Sequence, residues 1–269
     1  MKSVSALLSC SLVLAFAGAA PAFASSSDWH AGQGGRIRLV TAGGADASGR
    51  MQGALEIALD PGWKTYWRDP GDSGVPPQID ISPSTNIQSI SLAFPAPRHH
   101  DDGYGVWAGY DHSVSIPVTF TLAKPAAKAL VEADVFLGIC ETICIPVQAR
   151  LTVDPAKAPD NAADAELVKA AFAALPAPER ADFKIKVLRG DHETLHVEAI
   201  APGDPASVDF FVAGEKEYMF GPPKRREKDG EITFSVQILD RPTTAPGEGG
   251  LHYTLTSSEG AVAGLIPYP

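Results

Sequence analysis

Two cysteines separate two runs of alternating apolar and polar residues, and this pattern limits the possible folds more than any other feature of the sequence. Apolar side chains recur at every second position in residues 131–139 and again in residues 145–153, with Cys140 and Cys144 between the runs. A period of two residues is typical of a β-strand. The sequence therefore predicts two strands joined by a loop of residues 141–143.

The predicted hairpin has one favoured register, with Cys140 opposite Cys144. In this register the apolar residues face each other on one side, and Asp134 lies opposite Arg150 on the other. A shift by one residue would put the two faces out of phase. Both cysteines then point away from the apolar face, and directly opposed residues are about 4.5–5.5 Å apart at Cα, which suits a disulfide.

A disulfide at this place is poorly suited to a purely structural role. Closing a loop of about five residues removes only about 2 kcal/mol of unfolded-state entropy, compared with nearly 5 kcal/mol for a loop of about 100 residues. The small loop and the outward direction of Cys140 and Cys144 favour a redox or metal-binding role. A structural cross-link remains the alternative.

The N-terminal segment predicts export. Lys2, an apolar run over residues 7–20 and the small residues around Ala24 are typical of a secretory signal peptide of residues 1–24. The apolar run is shorter than a membrane span, and no later stretch reaches about 18 apolar residues. We therefore expect a periplasmic protein with no membrane span of its own. An oxidising compartment favours a disulfide between the two remaining cysteines.

Composition narrows the fold class and the partners. Helical periodicity is nearly absent, and 25 glycines and 23 prolines separate short alternating runs, which predicts an all-β protein. We expect an immunoglobulin-like β-sandwich over residues 25–154, a linker over residues 155–163, and a second, smaller β-sandwich domain over residues 164–269 with one helix near residues 164–175. The formal net charge of −10 argues against nucleic acid as a partner.

Several local expectations follow from the same patterns. Pro117 and Pro146 each remove a backbone donor, so we expect their strands at a sheet edge or at a bulge. Residues 224–226 are basic but precede acidic residues, which favours a solvated hairpin turn. The aromatic stretch of residues 62–77 is either a buried corner of the sandwich or a binding rim, and its composition favours the corner. Strands of the second domain are expected at residues 183–188, 194–200, 208–212, 232–238 and 251–256.

Three segments together resemble the N-terminal periplasmic domain of the thiol:disulfide interchange protein DsbD, and more closely the ScsB (suppressor of copper sensitivity) group. They are PGWKTYWRDPGDSGVPP (61–77), FPAPRHHDDGYGVWAGYDHSVSIPV (94–118) and FLGICETICIP (136–146). The resemblance covers about residues 29–154. It implies an immunoglobulin-like domain with a redox cysteine pair, which a cap loop shields until a partner docks.

The resemblance also implies a reaction and partners. Cys140 and Cys144 match the redox pair, and by family position Cys144 is the expected attacker in a protein-disulfide-reductase-like exchange that needs no cofactor. The chain shows neither a membrane span nor a thioredoxin domain. The expected electron donor is therefore a separate membrane transporter of the DsbD/CcdA type, and the expected acceptor is a thioredoxin-like periplasmic protein.

The cap loop departs from the family pattern at one position. Asp101, Asp102 and Tyr104 match cap-loop residues, but Gly103 stands where DsbD has an aromatic cap residue. Shielding of the cysteines is therefore expected from Tyr104 or Trp107. Acidic side chains close to the thiols would raise the thiol pKa and slow stray reactions.

Two other functions remain open from the sequence. Cys140 and Cys144 with a histidine would suit Cu(I), a soft ion, with His99 as the candidate third ligand and His100 or His112 as substitutes. Residues 99–100 are nevertheless more typical of an exposed loop. The remaining alternative is a structural β-sandwich with an incidental disulfide.

Overall fold

The computed structural model describes residues 25–71, 74–101, 103, 105–214, 218–244 and 249–268. The predicted signal peptide of residues 1–24 lies outside these residues. In the part of the chain that is described, no helix is long and apolar enough to cross a membrane.

The first part of the chain contains the strands of the predicted immunoglobulin-like sandwich. They are β1 (His30–Gly32), β2 (Gly35–Thr41), β3 (Arg50–Leu59), β4 (Lys64–Tyr66), β5 (Gln78–Asp80), β6 (Ile87–Leu92), β7 (Arg98–Asp101), β8 (Val106–Tyr110), β9 (Val114–Leu122), β10 (Val131–Cys140) and β11 (Cys144–Val153).

These strands form two sheets that pack face to face. One sheet has the order β1-β2-β3-β9-β6, and the other has the order β11-β10-β4-β8-β7 with β5 also on β10. Leu55 and Ile116 from the first sheet and Val135 and Leu137 from the second are almost fully buried in one shared core. The alternating apolar positions face this core, which confirms the predicted sandwich.

The β10–β11 hairpin has the predicted register. Cys140 lies opposite Cys144, and Asp134 lies opposite Arg150. Arg150 donates two hydrogen bonds to the Asp134 carboxylate, from Nε at 2.8 Å and from Nη2 at 2.7 Å. Because this pair is exposed to solvent, water screens it and it adds little to stability. The register is therefore fixed mainly by the buried apolar face.

The two strand prolines differ in whether they lie at the sheet edge that the sequence predicts. Pro146 lies in β11, an edge strand, as expected. Pro117 lies in β9, an interior strand between β3 and β6, so the expectation of an edge strand is wrong there, although the β6–β9 pairing does contain a register shift, between Ile87 and Ser89. Its carbonyl accepts a hydrogen bond from Ala93, one residue beyond the end of β6. The N–H that Pro117 lacks would face Ala93, where strand β6 has already ended.

One α-helix follows the first sandwich and packs on it. Helix α1 (Ala162–Ala173) begins two residues earlier than predicted, because Asn161 caps it by accepting hydrogen bonds from the N–H groups of the first turn. Val168 and Ala171 are buried against Val40 and Ala54 of the first sandwich. The helix that we expected in the second domain therefore covers an outer face of the first.

The second sandwich is built from the remaining strands and a short 3-10 helix (Pro205–Ser207). The strands are β12 (Ala177–Pro178), β13 (Lys184–Gly190), β14 (Thr194–Ile200), β15 (Asp209–Ala213), β16 (Met219–Phe220), β17 (Lys224–Lys228), β18 (Glu231–Asp240), β19 (Leu251–Ser257) and β20 (Gly260–Ile266).

These strands also form two packed sheets. Their orders are β12-β20-β19-β15 and β13-β14-β18-β16, with β17 also on β18. The basic residues 224–226 lie in β17 and not in a turn, because the chain reverses later, at Asp229 and Gly230, which both have positive φ. All of β17 is exposed, so the solvated surface was predicted correctly. The domain boundaries themselves stay a prediction.

Candidate redox site

The structure contains a disulfide between Cys140 and Cys144, at the loop end of the β10–β11 hairpin. The two Cα atoms are 4.1 Å apart. Both cysteines lie on the face opposite to the core, as predicted, since the adjacent Ile139 is fully buried in the core. Their surroundings nevertheless differ, because Cys144 is exposed and Cys140 is only 1% exposed.

Cys140 is buried because aromatic side chains cover the outer face of the sheet at this point. Tyr66 and Trp107 form a small buried cluster with Cys140, and the two rings meet edge to face with centroids 5.6 Å apart. His100 stacks on Trp107 with ring centroids 4.1 Å apart. We call Tyr66, His100 and Trp107 the aromatic cover.

Tyr66 is the member of the cover that contacts both sulfurs. Its hydroxyl donates a hydrogen bond to the disulfide, with the oxygen 3.1 Å from Cys140 Sγ and 3.1 Å from Cys144 Sγ. Tyr66 and Trp67 are both buried, as expected if the aromatic residues of this stretch form a corner of the sandwich. In the reduced protein the same hydroxyl is placed to stabilise a thiolate on either cysteine.

Glycines make the space for the Tyr66 ring. A Cβ atom on Gly74 would lie 2.6 Å from Tyr66 Cδ1, and one on Gly138 would lie 3.3 Å from Tyr66 Cε2. A Cβ atom on Gly109 would lie 3.0 Å from the Tyr66 Cα and 3.0 Å from Trp107 Cζ3. The sequence analysis did not predict this space for the Tyr66 ring. Its one visible sign was Gly138 inside an otherwise alternating strand, because such a glycine marks a close approach by another group.

The cover also has a polar rim. Lys64 lies opposite Cys140 in the β4–β10 pairing, and its Nζ is 4.5 Å from the centroid of the Trp107 ring. A cation over an aromatic face is favourable, and this one places a positive charge over Trp107, the ring that packs against Cys140.

Burial lowers the pKa of His100, so its ring is neutral near pH 7. Within the described residues, the buried His100 Nε2 and Trp107 Nε1 have no hydrogen-bond partner.

The predicted cap-loop residues have different positions. Trp107 lies against Cys140, in the place of a shielding residue. Asp101 is exposed at the end of β7, and its carboxylate accepts a hydrogen bond from the Gly103 N–H at 2.9 Å. Asp102 and Tyr104 lie outside the described residues. The contact described for Asp101 is therefore with Gly103 and not with the cysteines, whose thiol pKa we expected it to raise.

His99 points to the opposite side of the sheet from the disulfide. His99 and His100 are neighbours in β7 and half-buried, so the expectation of an exposed loop is wrong. Since successive strand residues face opposite sides, His100 joins the cover while His99 Nδ1 lies 2.8 Å from Asp209 Oδ2. The other substitute, His112, is exposed and pairs with Asp111. Among the residues described, no three His, Cys, Asp or Glu side chains converge as they would around a metal ion.

The fold and the site together define a class of protein: an immunoglobulin-like domain with one disulfide on the outer face of a sheet, half exposed and half covered by aromatic rings. Residues 39–155 match the family "Thiol:disulfide interchange protein DsbD, N-terminal", so this part of the chain is similar to that family. The predicted resemblance is thus confirmed.

A solved structure extends the comparison beyond this domain. The crystal structure of the N-terminal periplasmic domain of ScsB from Proteus mirabilis is similar over 91% of this chain and 100% of that chain, with a TM-score of 0.71 and 21% sequence identity. The likeness therefore includes the fold of the second sandwich, for which the sequence showed only a similar β-rich pattern. A search of curated proteins found no match.

Proposed function

We propose that this protein is a periplasmic dithiol/disulfide carrier that transfers electrons between two partner proteins by thiol–disulfide exchange. The observation that supports this most is the unequal exposure of the disulfide, with Cys144 open to solvent and Cys140 covered. Exchange needs one sulfur that a partner can reach and a second that resolves the mixed disulfide. The family match at residues 39–155 supports the same reaction.

The exchange balances as two electrons and two protons in each direction. A thiolate of the donor attacks Cys144 Sγ, the Cys140–Cys144 bond breaks, and Cys140 leaves as a thiolate that takes up a proton. The second donor thiol then attacks the mixed disulfide and releases reduced Cys144. In the second half, Cys144 attacks the acceptor disulfide, and Cys140 attacks the resulting mixed disulfide, which releases the reduced acceptor and restores the bond.

The partners follow from the chemistry and the compartment. The periplasm is kept oxidising, so a soluble dithiol pool is not expected to re-reduce the carrier. We propose a membrane electron transporter of the DsbD/CcdA type as donor and a thioredoxin-like periplasmic protein as acceptor. Both must reach Cys144, so they bind in turn and not together. Interfaces that form and separate repeatedly in this way are typically small, below about 1,200 Å².

Single-cysteine variants test this proposal in the native periplasm. Cys140→Ser leaves the exposed sulfur without its resolving partner and should accumulate a mixed disulfide, visible as a higher-mass band that reductant removes. Cys144→Ser should accumulate much less, because its remaining sulfur is covered. The double variant is the control. The proposal fails if neither single variant traps a thioredoxin-like or membrane protein, and tight Cu(I) binding by the wild type would then favour the copper function.

A further inference from the structure

The second sandwich contacts the back of the strand that carries part of the aromatic cover. In β7, His100 stacks on Trp107 on the disulfide side, while its neighbour His99 faces the second sandwich. There His99 Nδ1 lies 2.8 Å from Asp209 Oδ2, and the His99 ring stacks on Phe211 with centroids 4.2 Å apart. A shift of β7 on one side must therefore move the cover on the other.

The same arrangement occurs a second time, at the base of the cover. Tyr66 contacts both sulfurs, and its neighbour Trp67 meets Phe211 edge to face with ring centroids 5.9 Å apart. Strand β15 of the second sandwich thus touches the chain at two of the three strands that hold the cover, each time at the residue next to a cover residue.

These contacts join the two sandwiches at the level of their cores. Phe211 and Ala213 of β15 are at most 2% exposed, and they belong to the buried core of the first sandwich. A cavity of about 40 Å³, lined by Trp67, His99, Ala108 and Phe211 among others, lies at this contact. The ring contacts of this interface are therefore apolar and buried, while the His99–Asp209 pair beside them is partly exposed, and the cavity leaves space in which β7 can shift.

We infer that Asp209 and Phe211 are positioning residues for the exchange reaction: through His99 and Trp67 they hold the aromatic cover closed on Cys140. Loosening this contact exposes Cys140, and the second sandwich thereby sets how accessible the covered sulfur is. The consequence for electron transfer rests on the proposed function, but the positioning of the cover can be measured without any partner.

The test measures the accessibility of one thiol. In a Cys144→Ser background, Cys140 is the single remaining thiol of residues 25–269, and its alkylation by iodoacetamide under native conditions reports opening of the cover. Asp209→Ala should raise the rate about fivefold, the effect of losing one ordinary, partly exposed hydrogen bond. Phe211→Ala should raise it further, because it removes both ring contacts. Asp182→Ala, which breaks an exposed ion pair in the same sandwich, is the matched control and should leave the rate unchanged.

A second background separates positioning from general loosening. When Trp107→Ala has already opened the cover, Asp209→Ala should add nothing if it acts through the cover. A persisting fivefold increase would mean that the substitution merely destabilises the protein, and it would overturn the inference. An unchanged rate for both Asp209→Ala and His99→Ala would also overturn it, and these two variants decide the test if Phe211→Ala does not fold.

The outcomes distinguish this inference from the proposed function. If the alkylation rates behave as expected while no partner is trapped, the carrier function fails and the coupling between the sandwiches stands. If partners are trapped while the rates do not change, the carrier function stands and the positioning role of Asp209 and Phe211 is wrong.

Discussion

At the scale of single residues, the two sulfurs of the disulfide have different surroundings but share one hydrogen-bond donor. Cys144 is exposed and Cys140 is covered, and the Tyr66 hydroxyl is 3.1 Å from each sulfur. A buried phenol that donates to sulfur favours the charged thiolate over the neutral thiol once the bond is reduced. Tyr66 is therefore the residue that we expect to tune the reactivity of the pair.

Tyr66→Phe tests this role by removing the hydroxyl alone. The pH midpoint for alkylation of the exposed Cys144 thiol should move upward by about one unit, since a hydrogen bond to a charged group contributes about 1.5–3 kcal/mol and one unit corresponds to about 1.4 kcal/mol. Tyr110→Phe is the matched control, because the Tyr110 side chain is also buried but its hydroxyl donates to the Pro95 carbonyl. An equal shift in both variants would contradict the role of Tyr66.

At the scale of elements, the disulfide closes a hairpin that strand pairing and apolar burial already stabilise. Strands β10 and β11 pair over their full lengths, from Val131 opposite Val153 to Cys140 opposite Cys144. The core residues of β10 alone bury large apolar side chains, among them Leu137 with no exposed surface. The hairpin therefore has little need of the bond for its stability.

Replacing both cysteines by alanine should lower the free energy of unfolding by at most about 2 kcal/mol, because the closed loop is so short. Leu137→Ala is the comparison, since it removes apolar volume from the same strand and should cost about 2–5 kcal/mol. Urea denaturation of the two variants measures both values. If the cysteine variant were the less stable of the two, the disulfide would be structural.

Contacts between residues close together in the sequence could be predicted, and contacts between distant residues could not. The register of β10 and β11 followed from the sequence, because alternation and a three-residue loop leave one solution. The cover did not, since the β4–β8 pairing brings Tyr66 and Trp107 together from distant parts of the chain. His99 was misjudged for the same reason: its partners Asp209 and Phe211 lie in the other sandwich, where no local pattern points to them.

At the scale of the whole molecule, the contact between the sandwiches also contains a partly buried histidine. His252 lies in β19 opposite Ala213, and burial, together with the nearby Arg68, lowers its pKa to about 4. Above its ordinary pKa of about 6.5, His252 is neutral in both the folded and the unfolded chain and has no effect on the pH dependence. As the pH falls from about 6.5 to about 4, only the unfolded chain takes up the proton, so the folded state loses stability.

His252→Gln should therefore reduce the loss of thermal stability between pH 7 and pH 4.5, by removing the group that protonates preferentially in the unfolded chain. Melting temperatures of the wild type and the variant at both pH values measure this difference. His192→Gln, at an exposed histidine of the same sandwich, is the control. The explanation is wrong if the two variants lose stability over this pH range to the same extent as the wild type.

The central claim, that Cys140–Cys144 is an exchange bond and not a structural one, is tested most directly by its reduction potential. The purified protein is equilibrated with glutathione buffers of graded potential, and the reduced fraction is determined by trapping free thiols. A carrier should be half reduced at a potential well above about −300 mV, the value below which structural disulfides of secreted proteins typically lie. A bond that remains fully oxidised down to about −300 mV would contradict the account.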